Sequence, residues 1–346
     1  MKIKYLGTAA AEGIPAMFCK CDNCNRARAL GGKNIRTRSQ ALIDGKILID
    51  FPADSYMHEL RYGIDFSDIP ALLITHVHED HCYLSEMTNR RAGFAHIDGA
   101  PALTIYGSED VYKDYAEHAG AFFLNVPKSS CNAVNYSFIQ AYKPTEIEGY
   151  TVTALRAYHG TVHPYIYLIE KDGKALLYAH DTDIFPDETW DYLEKSGVKL
   201  SYVSLDCTEG CKTVRYHGHM FIDRNLEVRK RLFEIGAAGE STLFCINHFS
   251  HNGTNACYDD MKPVADANGL LLSYDGAEFE FYTIVLLYYT SVYLYTLVYS
   301  SCFIFSNFAL SINPPPVIIS SGIASRPAEI GGCIYGYGLR KKPFLS

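Results

Sequence analysis

Four potential metal ligands lie together in the segment His76-Val-His78-Glu-Asp80-His81. Imidazole and carboxylate groups are the side chains with which proteins bind zinc, manganese and iron. The segment directly follows an apolar run at residues 69–75, which favours a strand. A turn after that strand can direct His76 and His78 at one cation and Asp80 and His81 at a second. The segment therefore predicts the two-metal centre of a hydrolase.

Three more candidate ligands each follow an apolar run elsewhere in the chain: His159, Asp181 and His248. Donors on the ends of several strands form a rigid site, because the strands fix their positions while the loops admit substrate. Asp181 is then placed to bridge two metals. Taken singly, each of the three is better explained as a structural residue, and His180 competes with Asp181. We interpret five histidines as structural or surface residues: His180, His163, His96, His118 and His58.

A second ligand cluster is formed by cysteines near the start of the chain. The sequence Cys19-Lys-Cys21-Asp-Asn-Cys24 offers three thiolates, one ligand fewer than a tetrahedral zinc site needs. His251, three residues after His248, can supply the fourth. Three unpaired buried cysteines or a disulfide within the cluster are the alternatives. Because the chain has 11 cysteines and no export signal, metal binding explains the cluster better.

The elements that position these residues are predicted to be short strands with a smaller number of helices. Apolar runs flank Asp44-Gly45 and Asp172-Gly173, dipeptides that are typical of hairpin turns. The stretches 187–196 and 223–235 have the spacing of surface helices, with Asp223 as the expected N-cap. Hairpins mixed with helices indicate two β layers covered by helices.

The pattern His-x-His-x-Asp-His, followed by a histidine, an aspartate and a final histidine, resembles the metallo-β-lactamase superfamily. The resemblance covers about residues 1–282 and implies an α+β fold, the αββα sandwich, with the site at one edge of the two sheets. It also implies a division of the metal ligands. Metal one would be bound by His76, His78 and His159, metal two by Asp80, His81 and His248, and Asp181 would bridge them.

The cysteine segment narrows the resemblance to the cyclic-phosphate phosphodiesterases of the PhnP type, in which such a segment and a histidine bind structural zinc. Coenzyme-synthesis relatives of the PqqB type share this opening. The segment Asp206-Cys207-Thr208, followed by His217-Gly-His219, also resembles the phosphodiesterase branch. His219 best matches the histidine that reaches the active site there. His217 is the competing candidate, and a solvated loop histidine is the alternative.

By this resemblance, the expected reaction is hydrolysis of a small cyclic phosphate similar to phosphoribosyl 1,2-cyclic phosphate. A metal-bridging hydroxide would attack phosphorus, with Asp80, Asp181 and His219 as the catalytic residues. The cofactors would be two divalent cations, Zn²⁺ or Mn²⁺, and one structural Zn²⁺. The alternatives are a metallo-hydrolase acting on a thioester, lactone or other carbonyl substrate, and a non-catalytic PqqB-like protein.

The overall charge argues against bulk binding to nucleic acid. The chain has a net charge of -8 and a pI near 5.9, so no basic field would hold a polyanion. We therefore expect a small-molecule phosphodiester as the partner, and the sequence leaves a homodimer open. The N-terminal run reaches Gly and Ala too early for a signal-peptide core, which makes the cytoplasm the expected location.

The composition changes near residue 282. Residues 283–312 carry no charged side chain. This uncharged stretch is long enough to cross a bilayer. A membrane anchor is one interpretation of residues 283–346, and a β-rich appendage or a non-native terminus are the others. None of the chemistry above uses this tail. Its only charged residues are Arg326, Glu329, Arg340, Lys341 and Lys342.

Overall fold

The structure, a computed structural model, describes residues 1–212 and 217–281. The strands in these ranges are β1 (Lys2–Gly7), β2 (Gln40–Ile43), β3 (Ile47–Ile49), β4 (Ala71–Leu73), β5 (Leu103–Gly107), β6 (Val134–Phe138), β7 (Thr145–Ile147), β8 (Tyr150–Arg156), β9 (Tyr165–Lys171), β10 (Lys174–Ala179), β11 (Tyr202–Asp206), β12 (Leu243–Asn247), β13 (Leu271–Leu272) and β14 (Glu278–Glu280). The α-helices are α1 (Asp22–Leu30), α2 (Ser55–Tyr62), α3 (Glu109–His118), α4 (Asp187–Ser196), α5 (Ile222–Glu234) and α6 (Tyr258–Ala267).

These strands form two seven-stranded sheets. The first has the order β14-β1-β2-β3-β4-β5-β6 and the second the order β13-β12-β11-β10-β9-β8-β7. Neighbours from β3 to β6 are parallel, as are neighbours from β10 to β13. Parallel strands end at the same edge of a sheet, and ligands in α/β proteins bind at that edge. The loops that follow β3, β4, β10, β11 and β12 are thus gathered at the carboxyl edges.

The core lies in layers between and outside the two sheets, because successive side chains of a strand point to opposite faces. In β10, Leu176 and Tyr178 pack between the sheets, whereas Ala175 and Leu177 pack outward against helices. Trp190 of α4 belongs to that outer cluster. A fully buried apolar side chain of this size contributes roughly 1.5–3 kcal/mol. The expected αββα sandwich is therefore confirmed.

Most of the local predictions agree with the structure. Asp44-Gly45 connects β2 to β3 and Asp172-Gly173 connects β9 to β10, both in antiparallel hairpins. The helix expected at 187–196 is α4. Asp223 as an N-cap is wrong, because α5 begins one residue earlier and its N-cap is Phe221, whose backbone is extended. Asp223 instead lies in the first turn, where its charge favours the positive end of the helix dipole.

The C-terminal tail lies outside the residues that the structure describes, so its interpretations are not tested. Residues 283–346, with the stretch 283–312 considered as a membrane anchor, are not among the residues that the structure describes. Among those that are described, the helices are all too short or too polar to cross a membrane. The boundary expected at residue 282 and the anchor hypothesis both stay predictions.

Candidate metal centre

The predicted ligands all lie in loops that follow strands and meet at one edge of the sandwich. The segment 76–81 follows β4 of the first sheet, whereas His159, Asp181 and His248 follow β8, β10 and β12 of the second. The backbone takes an unusual conformation at these strand ends. Asp181 and His248 have φ values of 50° and 62°, and Asp50, after β3, has a φ value of 64°. Residues other than glycine seldom adopt positive φ, and such positions are concentrated at functional sites.

Three histidine nitrogens form the first group of possible ligands. His76 Nε2 lies 3.0 Å from His78 Nδ1, which in turn lies 3.2 Å from His159 Nε2. Nitrogens bound tetrahedrally to one zinc ion would be separated by about 3.3 Å, given metal–nitrogen bonds of about 2.0 Å. The three atoms therefore have the spacing that a shared cation requires.

A second group combines two histidines with two carboxylates. His81 Nε2 lies 3.1 Å from Asp80 Oδ2 and 2.9 Å from Asp181 Oδ2, and His248 Nε2 lies 2.8 Å from the same Asp181 oxygen. The other oxygen, Asp181 Oδ1, lies 3.7 Å from His159 Nε2 of the first group. Asp181 thus extends between the two groups, in the position expected of a bridging carboxylate.

Hydrogen bonds fix which nitrogen each histidine offers to the site. His76 Nδ1 donates to Thr75 Oγ1 at 3.0 Å, and His81 Nδ1 donates to Asp50 Oδ2 at 2.7 Å. His159 Nδ1 donates to the carbonyl oxygen of Gly218 at 3.1 Å. Metal-binding histidines ordinarily donate their second N–H in this way, which orients the ring and fixes its tautomer.

His248 is oriented by a separate partner. Its Nδ1 donates to Thr208 Oγ1 at 2.8 Å, and that hydroxyl donates to Asp206 Oδ2 at 3.0 Å. Asp206 is fully buried, and its Oδ1 accepts from the backbone N–H groups of Thr208 and Met220. Thr208 and Met220, from the described parts of the loop after β11, are therefore both held by the Asp206 carboxylate.

The Asp181 carboxylate tests whether the site suits a cation. Its Oδ2 is buried and accepts no hydrogen bond among the described residues, although His81 Nε2 and His248 Nε2 lie within 2.9 Å. Since the Nδ1 atoms of both rings carry the donated protons, their Nε2 lone pairs face this oxygen. Three electron pairs at such distances repel one another unless a positive charge, either a proton or a metal ion, lies between them. The donor set fits a divalent cation.

The pKa values at the site follow from the same charge arrangement. Burial raises the pKa of Asp181, but His248 and His81 outweigh it and hold that pKa well below the usual value. Burial lowers the pKa of His81, yet the surrounding carboxylates of Asp181, Asp80 and Asp50 raise it well above normal. Burial lowers the pKa of His76 far below normal, and the nearby charge of His81 lowers it further. Asp181 therefore stays ionised and attracts positive charge.

His219 lies beside these groups, whereas His217 is exposed. His219 Nδ1 donates to Asp206 Oδ2 at 3.0 Å and lies 3.9 Å from Asp181 Oδ1. Although burial lowers its pKa, the charge and hydrogen bond of Asp206 raise it to about 9. His219 is thus the member of the pair that the structure brings to the site, as a largely buried imidazolium.

The cysteine cluster also comes together. The Sγ atoms of Cys19, Cys21 and Cys24 and one nitrogen of His251 lie within 4.8 Å of one another. Cys21 Sγ is 3.6 Å from His251 Nδ1, and all three cysteines are free thiols in the structure. Cys19 and Cys21 lie in a loop, and Cys24 is in the first turn of α1. The four side chains match the donors of a structural zinc site.

The five histidines interpreted as structural lie outside these groups. His180 is buried next to Asp181 but contacts Ser204 Oγ at 2.8 Å, and His58 is buried between Thr37 and Gln40. His163 pairs with an aspartate, while His96 and His118 are exposed. Asp50 and Asp206, which orient ligands, were not predicted as site residues. Both stand where a buried strand ends, the same signal that indicated Asp181.

A cavity of about 350 Å³ opens onto the ligand groups. His78, Asp80, His159, Asp181 and His248 form its floor with His219. Its remaining lining comes from the loop after β1 and the loops after β11 and β12. A site of this size is at the small end of the range for small-molecule ligands.

Comparisons with known proteins agree with this architecture. A family model described as "Beta-lactamase superfamily domain" matches residues 46–236, more than half of the chain. A protein of Pyrococcus abyssi named as a UPF0173 metal-dependent hydrolase is 26% identical over 149 residues. That match covers 41% of this chain and 56% of the relative, so the chain spans only about half the length of the curated relatives it matches.

Solved structures share the fold at low sequence identity. A diphosphatase described as a member of the PhnP family superposes with a TM-score of 0.61 and 21% identity, over 81% of this chain and 98% of that one. Zinc-bound PqqB from Methylobacterium extorquens gives the same TM-score at 17% identity, over 81% of this chain and 100% of PqqB. At these identities, both matches show a shared backbone fold.

Proposed function

The chain belongs to the β-lactamase superfamily, as its metal-ligand motif indicated, and from that premise we propose that it is a metal-dependent phosphodiesterase acting on a small cyclic phosphate. His76, His78 and His159 would hold one cation and Asp80, His81 and His248 a second, with Asp181 between them. Two divalent cations bound there would supply a nucleophilic water at neutral pH and neutralise phosphoryl oxygens.

The pair formed by His219 and Asp206 is the observation that carries this proposal. A phosphodiester releases an alkoxide, which leaves readily only if an acid protonates it. His219 lines the cavity, and its Nδ1 is held 3.0 Å from the buried carboxylate of Asp206. The ring is thereby oriented and kept cationic, so it can bind a phosphate oxygen or deliver a proton to the leaving oxygen. Asp206 prevents the ring from turning away.

The size of the cavity and the charge of the chain favour a small substrate. About 350 Å³ suits a ligand with a single sugar ring better than a polymer. A net charge of -8 gives no general attraction for nucleic acid. A five-membered cyclic phosphate would fit, because its leaving oxygen stays tethered to the same small molecule.

A substrate panel on the full-length protein, loaded with zinc or manganese, tests the proposal. The panel contains ribose 1,2-cyclic phosphate, bis(p-nitrophenyl) phosphate, a lactone and a thioester, and metal content is measured on the same samples. We expect hydrolysis of the phosphodiesters, with two metal equivalents beyond the zinc of the cysteine cluster. His219→Gln is expected to lower kcat for the cyclic phosphate by about 10²–10⁴-fold.

The matched control is His118→Gln, which removes an exposed histidine at the end of α3, outside the cavity. It should leave kcat unchanged. Hydrolysis of the lactone or thioester alone would instead support a carbonyl hydrolase. A protein that holds zinc only at the cysteine cluster and hydrolyses nothing would support a non-catalytic relative of the PqqB type.

A further inference from the structure

Part of the cavity wall comes from two segments that also touch the cysteine cluster. Ala10, Ala11 and Glu12 line the cavity on one side, and Ser250 and Asn252 line it next to them. The backbone joins these segments, because Ala10 N donates to the carbonyl oxygen of Phe249 at 2.9 Å and Phe249 N donates to that of Thr8 at 3.0 Å. They therefore form one continuous wall.

His251 connects this wall to the cysteines. Its Nδ1 faces Cys21 Sγ at 3.6 Å, and its Nε2 lies 3.8 Å from Glu12 Oε1 on the opposite side of the ring. If Nδ1 is the zinc ligand, the proton is on Nε2, which is the atom that faces Glu12. Histidines bound to zinc commonly donate their second N–H to a carboxylate in this manner. Glu12 is the carboxylate that lies next to this atom.

The loop that carries His251 is fixed from the side of α1 as well. Asn23 Nδ2 donates to the carbonyl oxygens of His251 and Gly253, at 2.9 and 2.8 Å. Asn252 Nδ2 donates to Glu12 Oε1 at 3.3 Å. Glu12 Oε1 thus accepts one hydrogen bond from this loop, and the imidazole of His251 lies beside the same oxygen at 3.8 Å. Its other oxygen, Oε2, has no hydrogen-bond donor among the residues that the structure describes.

The charged partners distinguish Glu12 from Glu209, the other glutamate that lines the cavity. Glu209 also lines the cavity, but its Oε2 is paired with Lys212 Nζ at 3.0 Å. Glu12 has only the imidazole and the amide as partners among the described residues. An anionic acceptor at this point repels a second phosphate group and attracts hydroxyl donors. The wall therefore suits the polyhydroxylated part of a substrate.

We propose that Glu12 is a specificity-determining residue, whose carboxylate is oriented by His251 and Asn252 and accepts hydrogen bonds from sugar hydroxyls of the phosphodiester substrate. The cysteine cluster would then orient a substrate-binding group in addition to stabilising the fold. This inference rests on the proposed phosphodiesterase activity and specifies the part of the substrate that does not react.

Two substrates with the same five-membered cyclic phosphate test it: ribose 1,2-cyclic phosphate, which carries hydroxyls, and ethylene phosphate, which has none. Glu12→Gln should raise KM for the ribose compound about tenfold without changing kcat, because a hydrogen bond to a charged acceptor is lost in substrate binding. It should leave both constants for ethylene phosphate unchanged. Glu240→Gln, in an exposed loop before β12, is the matched control. It should leave KM and kcat unchanged for both substrates.

A second measurement follows the contact with His251 independently of catalysis. With manganese in the catalytic groups, release of zinc from the cysteine cluster to a chromogenic chelator should be about tenfold faster in Glu12→Gln than in the wild type. Equal KM changes for the two substrates, or zinc release at the wild-type rate, would overturn this inference alone. Failure of the wild type to hydrolyse either substrate would overturn the proposed function as well.

Discussion

The catalytic groups and the cysteine cluster both gather metal-binding side chains, but the structure holds them in different ways. The catalytic donors stand at the ends of strands from two sheets, and buried residues such as Asp50 and Thr208 orient them. Three of the four cysteine-cluster donors come from one short segment at the surface, and Cys21 is exposed. The fourth, His251, is contributed by the loop after β12.

This difference indicates which property depends on which metal. The strand ends remain in place because the two-sheet core supports them, so loss of a catalytic metal should affect chemistry more than folding. The segment at residues 19–24 is a loop and the first turn of α1, outside the two sheets, so its zinc should contribute directly to folding. The following predictions test this division, from the largest expected effect to the smallest.

Asp181→Ala should cause the largest loss, since it removes the carboxylate that extends between both ligand groups. We expect kcat/KM for bis(p-nitrophenyl) phosphate to fall by about 10³-fold or more, equivalent to about 4 kcal/mol of transition-state stabilisation. The melting temperature should change little by comparison. Steady-state kinetics and thermal unfolding on the same preparation measure both quantities. Unfolding of the variant at room temperature would contradict the division between the two clusters.

Asp50→Asn should have a smaller effect, because the substitution removes the charge that orients His81 but no ligand. A supporting partner of this kind typically changes metal affinity by about 10–100-fold. Asp172→Asn is a matched control, because Asp172 also follows a strand at positive φ but is exposed in a hairpin turn. Metal titration with a competing chelator compares the two. Equal affinities in both variants would show that the contact between Asp50 and His81 does not support the site.

The contrast between ligands and supporting residues also explains what could be predicted from the sequence. The segment 76–81 concentrates four donors at a strand end, and such a cluster is improbable unless it has a function. Asp50 and Asp206 act through hydrogen bonds to the residues that carry or orient the ligands, and the segment that contains Asp206 was noted only by resemblance, without a role for its carboxylate. The strand-end rule, applied to every acidic residue, would have indicated both.

The helices also include elements that the sequence patterns did not predict. The helices α4 and α5 were predicted from their apolar spacing, but α1, α2, α3 and α6 were not. Most of α3 is polar, so its periodicity is weak, although Ser108 at its N-cap accepts from Val111 N and acidic residues follow in the first turn. Capping signals would have indicated this helix where hydrophobic periodicity did not.

Cys24→Ser should lower stability more than it lowers catalysis. Cys24 is fully buried, and its loss removes one of four zinc donors. We expect the zinc of the cluster to be lost and the melting temperature to fall, while kcat at 25 °C stays within about tenfold of the wild type. Cys257→Ser is the control, because Cys257 is equally buried but lies outside the described ligand groups. The Cys257→Ser variant should keep the zinc of the cysteine cluster. Loss of zinc from both variants would mean that general destabilisation, not ligand removal, releases the metal.

His58→Phe should have the smallest effect on catalysis, and the effect that identifies the residue is on the pH dependence of stability. His58 is buried against Thr37 and Gln40, and burial lowers its pKa from 6.5 to about 4. The unfolded chain therefore binds a proton at a higher pH than the folded chain does. The stability contribution is fully present above about pH 6.5 and is lost as the pH falls toward 4.

Between pH 7.5 and pH 5.5, this linkage should reduce the free energy of unfolding of the wild type by about 1.3 kcal/mol relative to His58→Phe. Urea denaturation at the two pH values measures the difference, and His96→Phe, at an exposed position, is the matched control. Because His58 binds neither ligand group, chelating the metals should lower stability without altering this pH-dependent difference. A difference that disappears on chelation would mean that the titrating histidines are the metal ligands, and would remove the distinction between buried structural histidines and the catalytic groups.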